Sequence, residues 1–355
     1  MIQLGTKFQP MTARRQTQRL ICRGKQELER SGYGAEVLTF LGLASFDGIT
    51  FAALRDIGGP TGLHHLVNDA GPRFPPRVGA ALGKLPSSRQ GLAIALQKKG
   101  LSIARNLVRH KIRFLAGADL PQSVRLLPAA LQPLWLFIRG DDRLLHRPSI
   151  AVVGTRHCTA QGEFLTKYVV GSAGNFDVPV VSGLAYGIDT IAHQWCLELG
   201  LPTISVLGNG LLALYPRENQ ELADRIVAQD GLLVSEYFPM QPPTARSFVW
   251  RNRLQATFAR AVVATEWKKS SGTAHTIQFA QQFGRPNISV HLNTTKRKPD
   301  AGIAQINLNL PRDHVHLMQE LSEALRQPLQ SLRQQERHHA SVVVAPNLAD
   351  GIPLS

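Results

Sequence analysis

The residues of this chain best suited to chemistry lie in short glycine-rich turns, each just after a run of aliphatic residues. The first run ends in Gly154-Thr155-Arg156. A glycine there lets the backbone approach an anion at the N-terminus of the following helix. Thr155 offers a hydroxyl, and Arg156 a guanidinium that can clamp a phosphate through two hydrogen bonds. The second run ends in SGLAYGID, where Gly183 and Gly187 bracket a tight loop carrying Tyr186, and Asp189 and His193 fall in the first turns of the next helix. Both of those have plain structural readings, Asp189 as a helix-capping carboxylate and His193 as a buried, hydrogen-bonded ring. The third run ends in Gly208-Asn209-Gly210. One such turn says little, but three at the same end of successive strands exceed what turn geometry alone requires.

Further on, the segment PPTARSFVWRNR interleaves Arg246, Arg251 and Arg253 with Phe248 and Trp250. Single-stranded nucleic acid is held by a basic groove that follows the backbone and by aromatic faces on which bases stack. This segment supplies both components, although Trp250 by itself reads equally well as a core residue. The run Lys268-Lys269-Ser270-Ser271-Gly272-Thr273 then opens another helix, with two cations beside a helix N-terminus that favours anions. His314, His316, His338 and His339 have no Cys or carboxylate cluster to complete a ligand set. Neither a metal nor a cofactor is expected.

These turns need a scaffold that presents them along one edge. From Ser149 onward the short apolar runs SIAVVG, VPVVSG, TISVLG, LLVSEY, AVVATEW and NISVHL alternate with amphipathic stretches, several of which stop at Gly. Each run is nearly continuous in hydrophobicity and too short for a helix, as expected of parallel strands buried on both faces. The fold class is therefore α/β, a Rossmann-like, doubly wound and mostly parallel sheet, which binds ligands outside the carboxyl ends of its strands. Residues 36–70 have apolar positions at helical spacing, broken by Asp47-Gly48 and by Gly58-Gly59-Pro60, which predicts a small N-terminal helical domain. Its first turn is similar to a helix-hairpin-helix, but reads more simply as a connector. The expected division is a basic arm over 1–34, the helical domain over 35–90, a connecting segment with two strands over 91–148, the core over 149–295, and a tail with one helix over 296–355.

Composition narrows the partners. Lys+Arg 40 against Asp+Glu 25 gives a formal +15, an imbalance that favours a polyanion. Hydrophobic residues make up 43% of the chain, enough for a core without disulfides or metal. Cys22, Cys158 and Cys196 are odd in number with no CxxC spacing, which suits a reducing compartment. No apolar run reaches the roughly 18 residues a membrane span requires, so a cytoplasmic location is expected.

The series VVGTR, VVSGLAYGIDTIAH, TISVLGNG, YPRENQEL, LLVSEY, FVWRNR, ATEW with SGTAHTIQFA, and FGR resembles the DprA/Smf family, in order and at matching spacing. The resemblance covers roughly residues 36 to 295. It implies a non-enzymatic, single-stranded-DNA-binding homodimer that helps load a RecA-type recombinase, as in natural transformation and recombination. Carried over by position, it implies DNA contacts from Gly154, Thr155 and Arg156, from the Gly183 to Gly187 loop, and from Arg246, Phe248, Arg251 and Arg253. The chain departs from the family at Thr155, where a serine is usual, and at Tyr186, where an arginine is usual. It also has Leu211 and Leu212 near a usual acid, His291-Leu292-Asn293 in place of Pro-Gly, and no evident winged helix in the tail.

Two other functions fit less well. A divergent module of the same fold in a mobile-element or phage-defence operon would sense nucleic acid or nucleotide and restrain a partner protein. A nucleotide phosphoribohydrolase would need a glutamate after the last glycine turn, where this chain has His275 and Thr276.

Overall fold

The computed structural model describes residues 26–68, 74–83, 85–86, 88–293 and 304–329. Most of the basic arm, Cys22, His338 and His339 lie outside these residues. After a helical stretch over 26–30, five helices follow: α1 (Ala35–Ala44), α2 (Phe51–Asp56), α3 (Gly59–Asn68), α4 (Pro76–Leu82) and α5 (Arg89–Arg109). Helix α5, the first part of the expected connecting segment, packs along α1. Glycines permit the close crossing: a Cβ on Gly42 would lie 2.0 Å from the Leu96 carbonyl oxygen, and one on Gly100 would lie 1.9 Å from that of Leu38.

The sheet is built from β1 (Arg113–Ala116), β2 (Trp135–Gly140), β3 (Ile150–Val153), β4 (Val180–Ser182), β5 (Thr203–Leu207), β6 (Leu232–Ser235), β7 (Ala261–Ala264), β8 (Asn287–Leu292) and β9 (Ile306–Leu310). Its order is β1-β2-β6-β5-β4-β3-β7-β8-β9. Strands β3 to β9 pair in parallel, and β2 runs antiparallel to both β1 and β6. The mixed α/β, mostly parallel class read from the sequence is the one observed, and the six apolar runs are β3 to β8. Every residue of β3, β4, β5, β6 and β7 is buried, because helices cover both faces.

The helices that alternate with these strands are α6 (Gln122–Arg125), α7 (Ala160–Gly174), α8 (Ile188–Glu198), α9 (Gln220–Ala228), α10 (Ala245–Phe258), α11 (Gly272–Gln282) and α12 (His314–Arg326). Helix α7 is capped by Thr159, and α10 by a reciprocal Thr244/Ser247 capping box. On one face, α7, α8 and α12 bury Leu165, Val169, Ala192 and Leu317. The other core cluster runs without a break from Leu28 and Phe40 through Trp135 to Phe283. The sheet therefore extends past the 149–295 segment on both sides, with β1 and β2 before it and β9 with α12 after it.

A buried ion cluster joins the helical layer to the sheet. Arg55 of α2 donates to Glu236 Oε1 at 2.9 Å and to the Gln132 carbonyl at 3.0 Å. Arg253 of α10 donates to the other oxygen of the same carboxylate at 2.5 Å, and the Trp135 indole N–H donates to the Glu236 carbonyl at 2.7 Å.

Candidate nucleic-acid interface

The loops that leave the carboxyl ends of the central strands surround a cleft of about 660 Å³. Sites for small ligands typically measure about 300–1,000 Å³. The β3–α7 loop supplies Gly154, Thr155 and Arg156, α8 supplies Asp189, α10 supplies Phe248 and Arg251, and the N-terminus of α11 supplies Ser271, Gly272 and Thr273. Exposed Arg156 stands over the Phe248 ring, 5.1 Å from guanidinium carbon to ring centroid. The cleft mouth thus carries a cation and an aromatic face together.

Close glycine contacts set this arrangement. A Cβ on Gly208 would lie 2.6 Å from Phe248 Cδ1, so the third glycine turn makes room for the aromatic residue. At Gly183 it would lie 1.9 Å from Arg251 Nη1. Gly187 has φ 72° and packs against the Thr155 and Arg156 carbonyls, which holds the first two turns together.

Below the mouth, Arg251 is 4% exposed and donates to the Gly183 and Val206 carbonyls and to Asn252 Oδ1. Burial lowers its pKa to about 10, against the opposing pull of the Asp189 carboxylate. Asp189 is itself buried, which raises its pKa, while Arg251 and hydrogen bonds from Ser182 and the Ala185 backbone work to lower it. It lines the cleft in the first turn of α8, near the Arg251 charge. His193 is the buried ring expected. Thr203 Oγ1 donates to the Val180 carbonyl, so the 2.7 Å contact at His193 Nδ1 places the imidazole proton on that nitrogen. Burial, with Arg251 nearby, lowers the His193 pKa to about 3.

Several expected contacts lie elsewhere. Arg253 is fully buried, held by Glu236, the Leu131 and Trp250 carbonyls and the face of the Trp250 ring, and takes no part in the cleft. Asn209 is buried and donates to the Gly210 and Ala213 carbonyls, and Gly210 packs under the Phe238 and Pro239 carbonyls. That third turn shapes the site from beneath. The Thr155 amide is taken by the Glu266 carbonyl at 2.7 Å, and its hydroxyl accepts from the His157 amide at 3.2 Å. The first loop therefore offers its arginine more than its threonine.

Tyr186 is 40% exposed and donates to Glu218 at 2.6 Å, outside the cleft wall. Arg246, in the first turn of α10, also lies outside the lining. Lys268 and Lys269 line a second hollow, on the far side of the turn that carries Ser271. Sequence reasoning missed Tyr215, also 40% exposed, whose ring centroid lies 5.8 Å from that of Phe248 on the cleft wall. The available signal was its place in YPREN, an aromatic residue just after a glycine turn.

Fold and cleft together define a Rossmann-like protein with a cationic, aromatic-rimmed site at its switch point. A family model described as DNA recombination-mediator protein A matches residues 111–322, and the chain belongs to that family. It is 42% identical over 158 residues to the DNA processing protein DprA of Streptococcus pneumoniae, covering 44% of this chain and 55% of that protein. It is 33% identical over 204 residues to the protein Smf of Escherichia coli, covering 55% of this chain and 54% of that protein. The chain thus spans about half the length of the curated relatives it matches.

Among solved structures, the X-ray structure of Streptococcus pneumoniae DprA covers 87% of this chain and 99% of its own, with TM-score 0.53 and 24% identity, and shares the fold. DNA processing protein A of Helicobacter pylori, described for its single-stranded DNA binding mode, covers 59% of this chain and 96% of its own, with TM-score 0.51 and 25% identity. No helix among the described residues is long and apolar enough to cross a membrane.

Proposed function

We propose that this chain binds single-stranded DNA in the cleft between α8, α10 and α11, as a non-enzymatic recombination mediator acting in the cytoplasm. The observation that carries this reading is Arg156 standing over Phe248 at the cleft mouth. A base that stacks on Phe248 takes the place of the guanidinium, which is then free to reach a phosphate of the same strand. Arg251 beneath adds a fixed positive charge, and the exposed Tyr215 extends the aromatic rim. These contacts read backbone and ring faces and no base edge, so the binding is tolerant of sequence.

A mediator needs no catalytic pair. Asp189 is the one carboxyl group among the cleft-lining residues, whereas glycosidic cleavage ordinarily requires two positioned carboxyl groups. Family membership supports assembly as a homodimer and delivery of the strand to a RecA-type recombinase. Light scattering at micromolar concentration tests the dimer, and strand exchange in the presence of a recombinase tests the delivery.

Fluorescence anisotropy with a labelled oligothymidylate and a blunt duplex tests the binding itself. Single strands should bind more tightly, with an affinity that falls steeply as salt is added. Equal or tighter binding to the duplex would overturn the proposal.

A further inference from the structure

A second hollow lies beside the cleft, between the N-terminus of α7 and the carboxyl ends of β7 and β8. It has a volume of about 380 Å³, and Gln161, Trp267, Lys268, Lys269 and His291 line it. We infer that it is a second subsite for the same DNA strand, which crosses the turn at 268–271 after leaving the first cleft. The inference rests on the single-strand reading above and adds to it a path and a site size.

Three observations carry it. The first is charge. Lys268 and Lys269 are exposed at the hollow, and its one lining carboxylate, Glu266, is turned to another task. Glu266 Oε2 accepts from the Thr159 amide at 2.8 Å and from its hydroxyl at 3.2 Å. It also sits where a Cβ on Gly162 would lie, 2.0 Å away. The neighbouring Glu163 pairs with Lys167 at 2.7 Å. This carboxylate closes the start of α7 with the chain's own groups, so the attraction for a polyanion comes from the lysines.

The second observation is a ring. Trp267 is half-buried, and its indole N–H donates to Ser289 Oγ at 2.9 Å, which fixes the ring plane at the hollow wall. Ser289 in turn contacts His291 Nε2 at 3.2 Å. A fixed, partly exposed indole beside two cations combines the stacking face and the charge that hold single strands. The third is continuity. Ser271 lines the first cleft and Ser270 the second hollow, while His157 lines the first and Thr159 the second. Only one turn of chain separates them, so a strand seated in one can run directly into the other.

The test compares oligothymidylates of two lengths, roughly 4 and roughly 16 nucleotides, on the full chain and on the Lys268→Ala/Lys269→Ala and Arg156→Ala variants. The lysines are exposed, so the double variant should fold normally. The double variant should bind the long strand roughly tenfold more weakly, and its log–log salt slope should be smaller by about 1.4, from about 0.7 for each of two phosphates. Its affinity for the short strand should be unchanged. Arg156→Ala should weaken both. Equal weakening of both lengths by the lysine variant, or no change in either, would overturn the second subsite and leave the first cleft standing. Failure of the unaltered chain to bind either strand would sink both readings.

Discussion

In the free protein the Arg156 guanidinium occupies the Phe248 face that a DNA base must use, and this sets the sign of a double-mutant cycle. The contact is exposed, so about 0.7 kcal/mol is a fair value for what binding must break. Phe248→Ala loses about 2 kcal/mol of base stacking. It also abolishes the contact that had to be broken, leaving a net loss of about 1.3 kcal/mol, close to tenfold in Kd. The same relief applies to Arg156→Ala, whose loss of a phosphate contact is partly offset. When both residues are replaced the relief occurs only once. The double variant should therefore bind more weakly than the sum of the single effects, by about 0.7 kcal/mol or roughly threefold in Kd. Anisotropy titrations of the four proteins across a salt series give all the required values. Arg156→Ala alone should also lower the salt slope, by about 0.7 for one single-strand phosphate, while Phe248→Ala should leave it nearly unchanged. Additive or sub-additive effects would show that the guanidinium does not vacate the ring when DNA binds.

Other perturbations separate binding from structure. Glu236→Ala leaves the guanidinium of Arg253 buried without its carboxylate, and it should destabilise the protein by about 3–5 kcal/mol in urea unfolding. An unchanged midpoint would mean that the cluster is not the structural lock described. Arg253→Ala should likewise lower stability without altering the salt slope of DNA binding, since its side chain never reaches the cleft. Gly183→Ala drives a methyl into Arg251, and a loss of about 1–3 kcal/mol from overpacking, together with weakened strand binding, is expected. The pKa of His193 is depressed on folding from 6.5 to about 3, so the unfolded chain binds more protons between those values. Stability is then lost as pH falls through that window, by about 1.4 kcal/mol per pH unit from this residue. Urea melts of the unaltered chain and His193→Gln at neutral and acid pH should differ in slope by that amount.

The strand series from Ser149 was legible because strands covered on both faces must be apolar at every position, a pattern that few other elements share. The strand β9 was not, since INLNL has polar residues at alternate positions and lies at the edge of the sheet, with only Leu308 and Leu310 buried. Within the site, the glycine turns announced the edge where ligands bind, but not which of their groups remain free. Gly154-Thr155-Arg156 looks like three anion contacts until the Thr155 amide is found on the Glu266 carbonyl, far along the chain. The two arginines of WRNR stand two residues apart and so point to different sides of a helix. Only the fold reveals that Arg251 floors the cleft while Arg253 meets Glu236. Tyr215 stayed hidden because its segment has no periodicity to read.

The cluster of Arg55, Glu236 and Arg253, set within one unbroken apolar core, has a consequence for how the molecule comes apart. A helical appendage tethered by a loop would open on its own, and its backbone amides would exchange with solvent long before those of the sheet. Here α2 cannot lift away without exposing Phe51, which packs on Trp135 and Tyr237, and without withdrawing Arg55 from one oxygen of the buried Glu236 carboxylate. The amides of α1 and α5 should therefore show deuterium protection approaching that of β2, as members of one cooperative unit. A protease added under native conditions should find no early cut that separates α1, α2 and α5 from the sheet.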